Sequence, residues 1–304
     1  MDGLKAGVSH REDYVHTGEY GRVWGRREMN YSVLMSVYAK DNPEYLVTAI
    51  ESMLNQTIKP EQFVIVQDGA VGKELEKVLM DYQMNFPTVF TLVKLKENGG
   101  LANALNRGLQ ACRNELVARM DADDISLPQR CEKELEKFRE NDKLVICGCN
   151  IDEFYKTPEN VRTSRVVPSD YKSILKFMRL RQPFNHATVI YKKSKVLEAG
   201  GYLLLRRKED FDLFSRMLMN GDYAVNIDES FYLCRANEEN YARRKSLVNF
   251  KSAIYVYKRH LKRKGCNGAE FFYLVLGELF FLLFPNGCVK YVSDHFLRKR
   301  VANE

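Results

Sequence analysis

Three carboxylates stand within four positions at Asp121, Asp123 and Asp124, directly after the apolar run Leu116-Val117-Ala118-Arg119-Met120. That run reads as a short buried strand. Asp is a poor strand former, so the carboxylates belong just past its C-terminal edge. Three like charges at one place repel unless something positive joins them. A hard divalent cation with oxygen ligands would do so, and Mg²⁺ commonly takes one or two carboxylates with the rest of its shell from substrate phosphates and water. The competing reading is an acidic loop capping the next helix. Ser126-Leu127-Pro128 looks like a helix start with Pro in its first turn, and carboxylates are favoured at helix N-termini in any case.

The elements around the cluster weigh on that choice. Tyr31–Tyr38 is an apolar strand followed by Lys40-Asp41-Asn42-Pro43, with Asn42 as N-cap and Pro43 in the first turn of a helix running from Glu44 to Ile58. Gln62–Gln67 is a second strand, ending in Asp68-Gly69, and a helix is predicted from Gly72 to Met84. Val89–Leu95 is a third, ending in Asn98-Gly99-Gly100, which opens a helix with Leu101, Leu105 and Leu109 on one face. The acidic run ends the fourth strand. Strand and helix alternate, which predicts an α/β domain, a Rossmann-like and mostly parallel sheet flanked by helices. Ligands of such sheets bind outside the carboxyl ends of the strands. All four ends are polar here, and the helix opening at Gly100 would aim free backbone N–H groups at the same edge, which suits a phosphate. Four loaded ends favour a nucleotide and metal site over caps alone. Neither G-x-x-x-x-G-K-[ST] nor G-x-G-x-x-G is present, so a diphosphate would be held through a cation.

Composition sets the bounds. The 304 residues carry a net charge of +7 with 45% hydrophobic and 29% charged residues, ordinary for a globular protein. No apolar run reaches the length of a membrane span. The N-terminus is polar, with no secretory signal visible. Seven scattered Cys without a C-x-x-C pair suggest a reducing compartment. The basic excess lies in residues 236–304, with 13 Lys and Arg against 6 Asp and Glu, while the preceding residues hold 34 of each sign. There Phe271–Phe284 is nearly all apolar, interrupted by Gly277 and Glu278, and is flanked by 257–264 and Arg298-Lys299-Arg300. An apolar aromatic helix with basic flanks predicts an interfacial anchor on an anionic leaflet; the alternative is a helix packed on the domain or on a partner. Nucleic-acid binding is disfavoured, since the apolar run would have no role in it. Residues 1–28 read as a polar extension and Met29 as a possible native start.

The chain resembles the inverting family 2 glycosyltransferases with the GT-A fold, especially bacterial enzymes of capsule, exopolysaccharide and O-antigen assembly. The matching segments are SVLMSVYAKDNPEYL (32–46), SMLNQT (52–57), VIVQDG (64–69), NGGLANALNRGL (98–109), ARMDADDISLPQR (118–130), FNHATVIYKKSKVLEAGGY (184–202) and KEDFDLFSRML (208–218). They fall in the family's order over about residues 30 to 235 and give a division into an extension (1–28), a GT-A catalytic domain (29–235) and a helical tail (236–304). One departure is Gln67-Asp68-Gly69-Ala70, where the family often has two acids followed by Gly-Ser.

The resemblance implies an enzyme that moves a sugar from a nucleotide-sugar donor, a UDP-sugar favoured, to a saccharide or lipid-linked saccharide acceptor. Val37, Tyr38 and Lys40 would frame the base and Asp68 would accept from its N–H. Asn98, Gly99 and Gly100 would approach the donor. Asp123 would be the direct ligand of Mn²⁺ or Mg²⁺, with Asp121 toward ribose or sugar or as a second ligand. An inverting transfer needs one general base, and the family match selects Asp210, with Glu209 on acceptor or sugar hydroxyls and Asp212 structural. His186 would line the site. Arg206-Arg207 could contact phosphate or form a solvated loop, and Arg235 could reach the diphosphate. Gly200-Gly201 reads as a helix C-cap. The implied location is cytoplasmic, peripheral on the inner face of the plasma membrane. Two other functions fit parts of the pattern: a sugar-1-phosphate nucleotidylyltransferase, against which the lack of a Gly-rich, Arg-containing loop after the first strand counts, and a nucleotide-sugar-binding module without catalysis.

Overall fold

The computed structural model describes residues 29–236, 245–292 and 298–300; the polar segment 1–28 lies outside them. Four strands form the parallel half of the sheet: β1 (Tyr31–Val37), β2 (Gln62–Gln67), β3 (Phe90–Lys94) and β4 (Leu116–Met120), in the order β3-β2-β1-β4. Three helices connect them: α1 (Pro43–Leu54), α2 (Lys73–Asn85) and α3 (Leu101–Ala111). Every residue of β2 is buried, because helices cover both faces, and a strand so placed reads as an unbroken apolar run. Asn42 caps α1, its Oδ1 accepting from the N–H groups of Glu44 and Tyr45 at 2.8 and 3.3 Å, with Pro43 opening the helix.

After β4 the chain makes β5 (Ile125–Ser126), α4 (Arg130–Glu140), β6 (Leu144–Phe154), β7 (Val161–Arg165) and α5 (Tyr171–Met178). A 3-10 turn (His186–Thr188), β8 (Ile190–Lys192), α6 (Lys193–Glu198), α7 (Glu209–Met219) and β9 (Tyr223–Arg235) follow. β8 joins the two halves, antiparallel to both β4 and β6. β9 runs parallel to β6 and pairs antiparallel with β5. The sheet is thus a mostly parallel half extended by a mixed half, with helices on both sides.

Three expectations about element edges change. Ser126-Leu127-Pro128 does not start a helix: Ser126 lies in β5 opposite Tyr232, and α4 begins at Arg130. The strand partner supplied by β9 outcompetes the local Pro signal. α1 ends at Leu54, short of Ile58. Leu105 and Leu109 are buried, but Leu101 in the first turn of α3 is exposed, since that turn projects past the sheet edge.

The tail forms α8 (Leu247–Lys262), α9 (Gly268–Leu283) and α10 (Asn286–Val292), and β10 (Lys299–Arg300) pairs antiparallel with β7. α8 and α9 pack on α7 through a separate core of Phe211, Ala253, Val256, Tyr257, Cys266 and Leu274. Arg179, after α5, holds Glu270 of α9 through two bonds of 2.7 and 2.6 Å. Among the described residues no helix is long and apolar enough to cross a membrane.

Candidate active site

The C-terminal edge of the parallel strands collects the polar ends expected from the sequence. Val37 is fully buried and its carbonyl accepts from the Asp68 N–H at 2.8 Å, so the outer surface at this strand end belongs to Tyr38 and Lys40. Tyr38 N–H donates to Asp41 at 2.9 Å, which closes the turn.

Asp68 is 3% exposed. Its Oδ1 accepts from the Gly99 N–H at 2.8 Å and its Oδ2 from the Gly100 N–H at 2.9 Å, while Asn98 Nδ2 donates to its carbonyl at 3.2 Å. The N–H groups at the start of α3, expected to face a phosphate, are therefore partly satisfied by a carboxylate of the protein itself. An anion at a helix N-terminus is electrostatically favoured, and here it clamps the second strand end to the third. Gly69 makes the clamp possible: its φ is +85°, and a Cβ there would meet the Asn98 nitrogen at 2.7 Å.

In the acidic run the three carboxylates separate. Asp121 Oδ1 accepts from Arg119 Nη2 at 2.5 Å. Arg119 is buried, also donates to the Met120 carbonyl, and shares a strand face with Asp121 because side chains alternate along β4. Asp123 is half-buried. Asp124 is 3% exposed and does not cap α4, whose N-cap is Gln129. Its Oδ1 accepts from the Arg235 N–H at 2.7 Å. Burial, then the charges of Asp123 and Asp121, push the Asp124 carboxyl well above the usual carboxylate range. Arg235 donates from Nε to the Asp123 carbonyl at 3.0 Å and lies 3.7 Å over the Tyr45 ring. It pins the acidic loop to the start of α1.

Across the site, α7 opens with Glu209 and Asp210. Burial alone would raise the Asp210 carboxyl, but the Phe211 N–H at 2.8 Å and the Lys208 ammonium oppose it, and the group is held below its ordinary value. Glu209 is 8% exposed and its Oε2 has no hydrogen-bond partner. Burial, then the charge of Asp210, push it up to about 7. His186 stands between the two acidic groups, feeling both Asp210 and Asp121. Burial, then the Arg119 guanidinium, push it down to about 4, so it is neutral at pH 7. Its Nε2 lies 2.9 Å from the Tyr202 hydroxyl.

Arg119, Asp121, His186, Asp210, Glu209 and Tyr202 form one electrostatically connected group. Arg206 and Arg207 are exposed. Asp212 is fully buried in the first turn of α7 and accepts from Arg216, Arg259 and Arg263 at 2.7, 3.3 and 3.1 Å, as a structural residue would. Gly200 and Gly201, both at positive φ, return N–H bonds to Leu197 and Val196 and terminate α6. Sequence reasoning missed Arg119, Tyr202, Tyr232 and Lys208. Only Arg119 carried a signal: a cation inside a five-residue strand otherwise apolar throughout.

The donor set fits an oxygen-loving divalent cation. Among the described residues no three His, Cys, Asp or Glu side chains converge into a cage. A cation at Asp121 and Asp123 would be completed by diphosphate oxygens and water, the arrangement Mg²⁺ and similar ions favour.

This sheet, with an acidic loop at the end of β4 and an acidic helix start facing it, defines a GT-A glycosyltransferase. The chain belongs to glycosyl transferase family 2, whose family model matches residues 32–213. It is 34% identical to the amylovoran biosynthesis glycosyltransferase AmsE of Erwinia amylovora, over 83% of this chain and 91% of that one. It is 32% identical to the UDP-Gal:alpha-D-GlcNAc-diphosphoundecaprenol beta-1,3-galactosyltransferase of Escherichia coli, over 88% and 97%. Among solved structures it resembles Staphylococcus aureus TarS 1-349 in complex with UDP-GlcNAc, with a TM-score of 0.60 and 15% identity over 83% of this chain and 72% of that one. The mannosyltransferase PcManGT of Pyrobaculum calidifontis, in complex with GDP-Man and Mn²⁺, gives a TM-score of 0.59 and 15% identity, over 88% and 75%. The chain is thus a family 2 glycosyltransferase with relatives in polysaccharide biosynthesis.

Proposed function

We propose that the chain transfers a sugar with inversion from a nucleoside-diphosphate donor, a UDP-sugar first, to a hydroxyl of a lipid-linked saccharide in surface polysaccharide assembly. The observation that carries this reading is the pairing across one site of the Asp121–Asp123 loop with the Asp210 helix start, joined through Arg119 and His186. Asp123, with Asp121, would hold Mn²⁺ or Mg²⁺, whose positive charge stabilises a departing diphosphate. Tyr38, Lys40 and Asp68 frame the base, and Asn98, with the Gly99-Gly100 turn, borders the donor. Arg235 fixes the acidic loop within reach of the diphosphate. Asp210 takes the proton of the acceptor hydroxyl as its oxygen bonds the anomeric carbon and the bond to the diphosphate oxygen breaks. A carboxylate held below its ordinary value is ionised at neutral pH and so can accept that proton. Neutral His186 keeps a second positive charge out of the site while hydrogen-bonded to Tyr202. Glu209 lies beside the base, positioned for an acceptor or sugar hydroxyl.

The lipid-linked acceptor class is supported by the name of the Escherichia coli relative. A seat on the cytoplasmic face of the plasma membrane is supported by α9, which exposes Phe272, Tyr273, Leu276 and Leu283, followed by exposed Phe284 at its C-cap. The test is a screen of nucleoside-diphosphate sugars with a diphospholipid-linked acceptor, with and without Mn²⁺, following nucleoside-diphosphate release. Release that needs acceptor and cation supports the reading. Pyrophosphate release from a nucleoside triphosphate and a sugar-1-phosphate, with none from any nucleotide sugar, overturns it.

A further inference from the structure

α9 is apolar from Phe271 to Leu283 except for Gly277 and Glu278. Its one charged side chain in that span points inward. Glu278 is 6% exposed and accepts from three donors: Lys208 Nζ at 2.6 Å, Tyr257 OH at 2.8 Å and Asn249 Nδ2 at 2.9 Å. Lys208 directly precedes Glu209 and Asp210. It is the N-cap of α7 and lies in the left-handed region, at φ 65° and ψ 16°. Non-glycine residues adopt that conformation uncommonly, and such strain collects at functional sites. Two contacts hold its side chain: the ion pair to Glu278, and the Tyr257 ring 5.7 Å from the ammonium.

The same stripe of α7 continues into the tail. Phe211 packs edge-on against Tyr257 and His260, with ring centroids 5.7 and 5.2 Å apart. Asp212 accepts from Arg259 and Arg263 of the α8 segment, and Ser215 Oγ lies 2.7 Å from His260 Nδ1. Positions 208, 211, 212 and 215 form one helical face. Between 208 and 211, on the other side, lie Glu209 and Asp210. The tail therefore grips the helix that presents the acidic pair, and Glu278 grips it at the residue where its direction is set.

We infer that Glu278 is a positioning residue for transfer: through Lys208 it fixes the left-handed turn that aims Asp210 at the acceptor. The inference rests on Asp210 being the base. Glu278 touches neither donor nor acceptor, so its loss acts on the chemical step and leaves donor binding intact.

The test measures kcat and donor KM of the full chain for E278Q, K208M, K208R, the double variant K208M/E278Q and D210N. E278Q keeps the size of the side chain but removes a negative charge, whereas K208M removes a positive one, so a loss common to both reports aiming and not the sign of the local charge. E278Q and K208M are each expected to lower kcat by about tenfold or more with donor KM within about twofold, the mark of an interaction used in the transition state. K208R restores most of what K208M loses. The double variant falls no further than the worse single one, because the two residues act through one contact. Far-UV circular dichroism and UDP binding with Mn²⁺ verify the fold of each variant; should E278Q fail to fold, K208M with its K208R rescue decides. Wild-type kcat in E278Q and K208M, or losses that multiply in the double variant, overturn the inference. D210N reports separately on the base. If it retains transfer, the base assignment fails; if it is inactive while E278Q turns over normally, only the positioning role fails.

Discussion

Arg119 and Asp121, two residues apart on and just past strand β4, meet at 2.5 Å, with the guanidinium 1% and the carboxylate 41% exposed. The buried partner thus fixes the orientation of the exposed one. A hydrogen bond to a charged group contributes about 1.5–3 kcal/mol, so R119M is expected to lower kcat/KM by about ten- to a hundredfold through misplacement of Asp121. The loss should fall most heavily in assays at limiting Mn²⁺, where an ill-positioned ligand weakens cation affinity. A variant with wild-type Mn²⁺ dependence would remove Arg119 from the site.

Asp123 and Asp124 are neighbours with opposite expectations. D123A removes the proposed direct ligand and should abolish cation-dependent donor turnover, measured as nucleoside-diphosphate release. Asp124 faces inward to the Arg235 N–H, and its carboxyl is already pushed toward the neutral form. D124N preserves an acceptor for that N–H and should retain most activity. D124A leaves the N–H unpaired and should cost about 1–3 kcal/mol of stability, read from denaturant unfolding. Equal small effects of D123A and D124N would return the run to a purely structural role.

Glu209 predicts a pH dependence of stability. Its folded value is raised from 4.5 to about 7 by burial and then by Asp210. The folded state therefore binds the proton more tightly than the unfolded chain. Its contribution is fully present below about pH 4.5 and is lost as pH rises through about 7. E209Q cannot ionise. Its melting temperature relative to wild type should increase steadily from pH 4.5 to 7.5. A constant difference across that range would show that Glu209 does not titrate there.

The local devices were legible in the sequence, and the distant contacts were not. The ends of β2 follow from an apolar run bounded by Asp-Gly, and the cap of α1 from Asn42-Pro43, because each is decided by neighbours in the chain. The strand-end candidates such as Asp68 and Asp121 follow from the same logic, since each apolar run shows where its strand stops. The Ser126-Leu127-Pro128 start was misread because the competing partner, Tyr232, arrives much later in the chain. The clamp of Asp68 on Gly99 and Gly100 joins residues 31 and 32 positions apart, and nothing local to Asp68 distinguishes it from a turn or a base contact. The tail carried two opposed readings, packed helix or interfacial anchor. α9 shows why both had support: its charged residues and Phe271 face the domain, while Phe272 and Tyr273 face out.

That outward face gives the fourth prediction. Phe272 and Tyr273 are 62% and 63% exposed, and Leu276 is 45% exposed. Replacing all three with Ser should leave the melting temperature nearly unchanged, because surface substitutions away from buried contacts usually move stability by no more than about 0.5 kcal/mol. Flotation with vesicles containing anionic lipid should be lost, while transfer to a water-soluble acceptor analogue persists. Parallel loss of soluble transfer would mean that the face serves the fold or a protein partner instead of a lipid surface.

Asp212 separates structural from chemical acidity at the start of α7. It lies two residues past the proposed base, is fully buried, and receives bonds from three guanidiniums, Arg216 within α7 and Arg259 and Arg263 in the tail. Removing one partner of a buried ionic cluster leaves charge uncompensated and costs about 3–5 kcal/mol. D212A should therefore fail to accumulate or should unfold at a much lower denaturant midpoint, with the α8–α9 pair released first. Limited proteolysis after Lys245, Lys262 and Lys264, all exposed, would register that release before the sheet unfolds. D210N, by contrast, should unfold like wild type and lose transfer. Were D212A to keep wild-type stability and lose only transfer, the structural role of Asp212 would fail and it would compete with Asp210 as the base.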